Sequence, residues 1–491
     1  MKREDEVGPL IHESGMGSGA IWDGLGRLAV LPEWLTAATQ PERVRAALAA
    51  VVPELAAGDC VLRECVPERL RLKSEAWTVT YRATVSGEGE HWRDVCLGGR
   101  LCAPGQARPG RAASAGAFGS DDWRGVVPDL GLDLHTEASD DALPALSRLT
   151  DPDQARVLLE EAIRTCSPYA DFGVAGCTPV VARYSRGSRC TVVYKLDYPP
   201  ETRNRPWPAV VAKAYRGDKG RNAYTAMHKL WGSDLGRSKV VALAEPLAYL
   251  PDLRVLVQSA IPGDQTLKEL IRSTLSRGTA EALRELDDIV AKTAEGLAAL
   301  HDSGINHGEV ASLDDELADV HRLVTRLAGP IPGVADAATP WLARITSLAA
   351  RHPSDSFRPA HRSFRPAQVL VDERGIGFID FDGYCQAEPA LDIAQFCASV
   401  RSDGISPAGT GSTPPSTSAM EADLSVLDHV CERFRSCYEA ILPVSRVRVM
   451  LWETLHMLTS VLHAWTKAQP AFLPGRMLIL ERHLRAAGLR S

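Results

Sequence analysis

The sequence predicts an α+β protein in which two helix-plus-sheet units precede a largely helical body. Three observations predict it. First, a pattern of about 110 residues occurs twice, with Pro41, Cys65, Thr78 and Trp92 matched by Pro152, Cys177, Thr191 and Trp207 at offsets that drift only from 111 to 115. Each copy opens as a helix with Pro in its first turn and continues as alternating strands. Second, Val369–Val371, a turn at Glu373-Arg374-Gly375, and Ile376, Phe378 and Ile379 read as an apolar hairpin that runs into Asp380 and Asp382. Third, helical spacing of apolar residues dominates from Thr279 onward.

Composition narrows the class. A chain of 491 residues holds two to four domains at roughly 100–200 residues each, and 45% hydrophobic residues suffice for a full core. The formal net charge is −7, which gives no electrostatic case for nucleic acid or an anionic membrane surface. No stretch approaches the ~18 uninterrupted apolar residues of a membrane helix, and the first ten residues lack a signal-peptide core. The 11 cysteines contain no CxxC pair, so they read as reduced thiols of a cytoplasmic protein and not as a zinc site.

In chain order, residues 1–33 form a tail, 34–103 the first repeat and 104–150 a Gly-, Ala-, Pro- and Ser-rich linker. The second repeat occupies 151–257. Within it, Arg183 to Arg189 is a turn in which Gly187 lets backbone approach a phosphate, or simply serves an ordinary hairpin. The strand Ala209–Lys213 carries one Lys in an apolar run. A half-buried ammonium there asks for an anionic partner, the alternative being a solvent-facing edge. In the first repeat the matching position falls near Gly98, with no Lys close by. The helix from Arg221 to Trp231 contains no Glu to pair with Lys213; Asp218, Asn222 and Asp234 are the nearby substitutes.

Residues 258–400 form the next unit. Val255 to Gly263 is an apolar strand ending in a Pro-Gly turn, and Leu283, Leu286, Val290, Ala294, Leu297 and Leu300 make a core helix of Thr279 to His301. Helices are expected over Asp314–Leu327 and Thr339–Ala350. A low-complexity, disordered loop spans 401–421. Residues 422–491 hold three helices, near Ala422–Ala440, Pro443–Thr466 and Pro474–Ala487, with Glu453, His456 and His463 on the middle one as wall or core residues.

The segment Pro359 to Asp392 resembles the aminoglycoside phosphotransferase family, a branch of the protein-kinase-like fold, and the resemblance extends over about Ser167 to Leu489. His361 falls on the His of the family's HGDxxxxNxL loop, Ser363 on its catalytic Asp and Gln368 on its Asn. Asp380 falls on the metal-binding Asp, and EPALDIA, with Asp392, on DPALDLA. The resemblance implies a bilobal fold with a degenerate, duplicated N-lobe as the extra N-terminal region. It implies ATP and Mg2+ as cofactors, with Lys213 and Gly187 at the nucleotide phosphates, the backbone of about Gln258 to Ala260 at adenine, and Asp380 and Gln368 on the metal. His307-Gly308-Glu309 imitates HGD, but no apolar strand follows, so it is read as a decoy.

Ser363 is no base at neutral pH without an activating partner. Asp382 is the candidate replacement, and Arg362 and Arg365 add positive charge for a phosphate or for the two Asp residues. Two functions follow. One is a phosphotransferase acting on a hydroxyl of a small molecule or peptide. The other is a pseudokinase that binds nucleotide and a protein partner. The enlarged N-terminal region and Gln368 are also similar to the maltokinase branch, which keeps its Asp. The first repeat is expected to brace the second, cover the cleft or mediate a homodimer.

Overall fold

The structure, a computed structural model, describes residues 24–87, 91–105, 116–137, 140–203, 205–263, 265–405 and 416–488. The first unit consists of helix α1 (Pro41–Val51) and strands β1 (Cys60–Lys73), β2 (Ala76–Gly87), β3 (Arg93–Leu101), β4 (Arg124–Val127) and β5 (Leu132–Thr136), in the sheet order β1-β2-β3-β5-β4. The second consists of helix α2 (Pro152–Arg164) and strands β6 (Gly176–Ser185), β7 (Arg189–Asp197), β8 (Ala209–Tyr215), β9 (Pro246–Leu250) and β10 (Val255–Ser259), with helix α3 (Lys219–Trp231) inserted after β8. Its order, β6-β7-β8-β10-β9, is the same topology.

The repeat extends to atomic detail. Pro67 pairs across the sheet with Tyr81, and Pro179 with Tyr194. Each Tyr hydroxyl donates to a backbone carbonyl three residues before its unit's helix: Tyr81 to Ala38 at 2.9 Å, Tyr194 to Leu149 at 2.7 Å. A buried phenol needs such a partner, so matched Tyr residues fix matched helix positions.

Three boundaries differ from the expectation. The 104–150 region is no linker, because β4 and β5 complete the first sheet; the Gly-rich composition concealed two short strands. The expected disordered loop at 401–421 is helical at both described ends, within Ala390–Ile405 and Thr417–Glu439, and residues 406–415 lie outside the described residues. The expected tail, 1–33, lies outside them up to residue 23, and beyond it Leu25, Leu28 and Leu31 are buried.

The body is helical. The core helix α4 (Ala280–His301) is capped by Thr279, whose side chain accepts from the Ala282 N–H. Helices α5 (Leu313–Ala328) and α6 (Gly333–Arg351) follow, the second starting six residues before the expected Thr339 and carrying Pro340 inside. The hairpin of β11 (Val369–Asp372) and β12 (Gly375–Phe378) forms as read. Helices α7 (Ala390–Ile405), α8 (Thr417–Glu439), α9 (Arg446–Thr466) and α10 (Leu473–Ala486) close the body.

Core packing separates the two repeats. The second has its own core beneath α2, with Leu159, Val192, Tyr194 and Val257. The first shares a continuous core with the helical body. Trp77 Nε1 donates to the Trp465 carbonyl at 3.2 Å, and Trp465 Nε1 donates to the Leu28 carbonyl at 3.0 Å. These buried bonds fasten the first unit and the segment that precedes it to α9. Among the described residues no helix is long and apolar enough to cross a membrane.

Candidate active site

The hairpin turn of β6 and β7, strand β8 and the segment after β12 meet at one cleft. Alternation along a strand puts Lys213 and Tyr215 on the same face of β8, and the cross-strand register sets Thr191 and Arg189 beside them. Lys213 Nζ lies 3.2 Å from Asp380 Oδ1 and 3.9 Å from Asp382 Oδ1. Arg189 Nη1 lies 3.5 Å from Asp380 Oδ2 and 3.8 Å from Asp382 Oδ2. The Tyr215 hydroxyl donates to Asp382 Oδ1 at 2.7 Å. Lys213 therefore finds its anionic partner on the body and not on α3, where Asn222 instead donates to the Tyr384 carbonyl.

The two carboxylates behave differently. Burial pushes Asp380 up, but Lys213 and Arg189 outweigh it and hold the carboxyl well below the usual range. Burial raises Asp382, and the neighbouring Asp380 charge keeps it raised despite Lys213 and Tyr215. Asp380 also takes a left-handed backbone conformation, φ 72°, which turns its side chain back toward β8.

Gln368 Nε2 donates to Asp380 Oδ2 at 3.2 Å, while its Oε1 is buried with no partner. A buried amide oxygen left unpaired next to a carboxylate is a donor set that fits a hard cation. Gln368 and Asp380 are the residues that would hold magnesium. Among the described residues no group of three or more His, Cys, Asp and Glu gathers for a metal.

The loop expected to be catalytic is tightly held. Asp392 accepts from the backbone N–H groups of His361, at 2.6 Å, and Arg362, at 2.8 Å. Arg362 stands at φ 60°, a conformation that costs an L-residue about 1–2 kcal/mol. Its guanidinium is gripped by Glu309 and by Glu316, the latter at 3.1 Å. The segment read as a decoy thus lies beside the loop: Gly308 sits at φ 84° against the Tyr384 carbonyl, and Glu309 lines the cleft. His361 is fully buried, and burial lowers its pKa, so the ring is neutral. Its Nε2 faces the Ile379 carbonyl at 3.0 Å and carries the proton; Nδ1 then accepts from the Ser363 hydroxyl at 3.2 Å.

Other expected residues fall elsewhere. Gly187 has φ 65° and its N–H donates to Asp140 Oδ2 at 2.9 Å, so its donor is taken up by the segment that joins the two units and the residue serves the hairpin turn. The Arg186 side chain is held alongside by Glu137, at 2.7 Å. Glu137 can lie against β3 because Gly98 has no Cβ; one added there would come within 2.0 Å of its carboxylate. Gln258 is buried with Oε1 unpaired, the Ser259 N–H donates to the Glu245 carbonyl, and the Ala260 N–H donates to the Ala209 carbonyl. Neither Gln258 nor Ala260 is among the cleft-lining residues. Glu453 is buried between Arg401, Arg435 and His483, and His456 is buried, so both belong to the core. His463 lines a separate surface pocket.

Sequence reasoning missed Arg189 and Tyr215 as site residues. The signal was present: both lie two residues from a matched or singled-out position, Thr191 and Lys213, on an alternating strand. The register also corrects the first repeat. Thr78 pairs with Arg100 as Thr191 pairs with Lys213, so the residue matching Lys213 is the exposed Arg100, two positions beyond Gly98.

Residues 209–411 match the model of the phosphotransferase enzyme family. No curated protein matches the chain. Among solved structures, the chain is similar to a choline/ethanolamine kinase family protein from Mesorhizobium loti, at 14% identity over 68% of this chain and 99% of that one, with a TM-score of 0.45. It is similar to a glucosamine kinase in complex with glucosamine, ADP and inorganic phosphate, at 16% identity over 92% and 99%, with a TM-score of 0.44. A thermostable mutant of an aminoglycoside phosphotransferase, in ternary complex with ADP and hygromycin B, gives 14% identity over 67% and 98%, with a TM-score of 0.42. The matched stretch carries Lys213, the Ser363 loop and Asp380.

Proposed function

We propose that the protein is an ATP- and magnesium-dependent phosphotransferase that acts on a hydroxyl of a small molecule, through an atypical catalytic loop. One observation carries this reading: Lys213 and Arg189 converge on Asp380 and Asp382 beside the unpaired oxygen of Gln368. In-line phosphoryl transfer asks the protein mainly for positioning and charge neutralisation, and this set provides both. Magnesium, when bound, neutralises charge on the phosphoryl oxygens. Lys213 and Arg189, now paired with the Asp residues, are the cations available to the nucleotide phosphates.

The acceptor oxygen bonds to the γ-phosphorus as the bond from that phosphorus to the bridging oxygen breaks, and ADP leaves. The acceptor proton passes to Ser363 Oγ as the Ser363 proton moves to His361 Nδ1, the lone pair to which that hydroxyl already donates. A neutral, buried imidazole supplies the partner that Ser363 lacks by itself. Asp382, engaged by Tyr215 and two cations, is less free for this task.

A second reading has its own support. The Gly187 and Ala260 N–H groups are both bonded within the protein, which suits a pseudokinase whose cleft serves a partner. Calorimetric titration of ATP with and without magnesium separates the two. The phosphotransferase reading expects magnesium-dependent binding that Asp380→Asn weakens by roughly a hundredfold. Absence of nucleotide binding by the wild-type chain overturns it in favour of the second.

A further inference from the structure

The cleft reaches well beyond the Lys213 cluster, with a volume of about 1700 Å³. Its lining carries eight arginines and two lysines against four carboxylates, a local excess of six positive charges in a chain whose net charge is −7. Some of these cations are accounted for: Arg189 by the Asp pair, Arg362 by Glu309 and Glu316, Arg186 by Glu137. Others are not. Among the described residues no ion pair or side-chain hydrogen bond engages Arg71, Arg183, Arg365 or Lys467, and Arg365 Nε is buried without a partner.

These four side chains come from four separate places. Arg71 stands on β1 of the first repeat, Arg183 on β6 of the second, Arg365 on the catalytic loop, and Lys467 at the end of α9. The Trp77 hydrogen bond to the Trp465 carbonyl clamps β2 to α9, which holds Arg71 and Lys467 on a common wall. Burial, followed by Arg71, Arg476, Arg365 and Arg183, pulls the Lys467 ammonium down to about 8. A gathering of like charges raises the energy of an empty cleft, and a bound anion relieves it.

We propose that this part of the cleft is an acceptor-side anion site, and that the acceptor is a hydroxyl compound bearing a phosphate or comparable dianionic group. The first repeat thereby supplies a wall of the substrate site through Arg71. Guanidinium groups suit such a ligand because their planar forks match phosphate oxygens two at a time. The identification of the ligand as an acceptor rests on the phosphotransferase reading; the anion site does not.

The test uses the full chain, with inorganic pyrophosphate as the probe and ATP titrated separately, by calorimetry. Pyrophosphate binding to the wild type is expected to weaken by roughly tenfold in Arg71→Ala and again in Lys467→Met, with ATP affinity retained. Lys213→Ala is expected to spare pyrophosphate binding. Unchanged pyrophosphate affinity in the Arg71→Ala/Lys467→Met double variant overturns the proposal, as does its loss in Lys213→Ala, which would put the anion at the nucleotide phosphates. Should the wild type bind pyrophosphate in this pattern and ATP not at all, the anion site stands and the phosphotransferase reading alone falls. Because removal of a repelled cation relieves strain in the empty cleft, both variants are expected to melt no lower than the wild type.

Discussion

In the second repeat the third strand puts Lys213 between two carboxylates; in the first, Arg100 holds the same register and is exposed. The units otherwise share strand order, the Pro–Tyr cross-strand pair and the Tyr hydrogen bond to the helix entry. They differ after the third strand, where the second unit has α3 and the first has no α-helix between β3 and β4 among its described residues. They also differ in their outer partners: the second keeps a separate core, and the first merges with the body. The lesson is that hydrophobic alternation and one buried hydrogen bond suffice to preserve a sheet, while the polar residues on its faces are free to change role. The first sheet has no counterpart of the Lys213 ion-pair cluster among its described residues, yet its opening strand faces the cleft with Arg69 and Arg71.

Three paired substitutions sharpen this comparison. The largest effect is expected at Trp77, whose counterpart by register is Cys190; both are fully buried. Trp77→Ala removes an indole and its bond to α9 and is expected to cost about 3–5 kcal/mol in denaturant unfolding. Cys190→Ala is expected to cost less than half of that, and equal costs would contradict an anchoring role for Trp77. Next, Lys213→Ala is expected to lower phosphoryl transfer roughly a hundredfold while Arg100→Ala leaves it unchanged. Comparable losses would mean that both sheets serve catalysis. Smallest are Tyr81→Phe and Tyr194→Phe, each expected to cost about 1 kcal/mol by leaving a buried carbonyl unpaired. Widely different costs would show that the matched bonds are not equivalent.

The duplication, the hairpin and the helices were legible because each is written in local periodicity and turn chemistry. Strands β4 and β5 were not, because four or five residues in a Gly-rich setting give too little alternation to register. Lys213, Gln368 and Asp380 could be placed together from motif spacing. Arg189 and Tyr215 were within reach of strand alternation from Thr191 and Lys213 but were not drawn, and Arg71 could not be placed, since its proximity is a product of docking between segments far apart in sequence. The cationic cleft was hidden for a related reason: a net charge of −7 averages over the surface and says nothing of where the arginines converge.

The indole clasp also sets a schedule. The Trp77 bond joins residues separated by 388 positions, so the first unit meets this docking partner only once α9 has been synthesised. At translation rates of about 5–20 residues per second, Trp77 waits roughly 20–80 s for Trp465 to emerge. During that interval the unit's body-facing apolar residues have no cover, whereas the second unit can bury its own core at once. A chain cut short before α9 would carry the exposed half of an unmade interface, a surface suited to chaperones and to self-association.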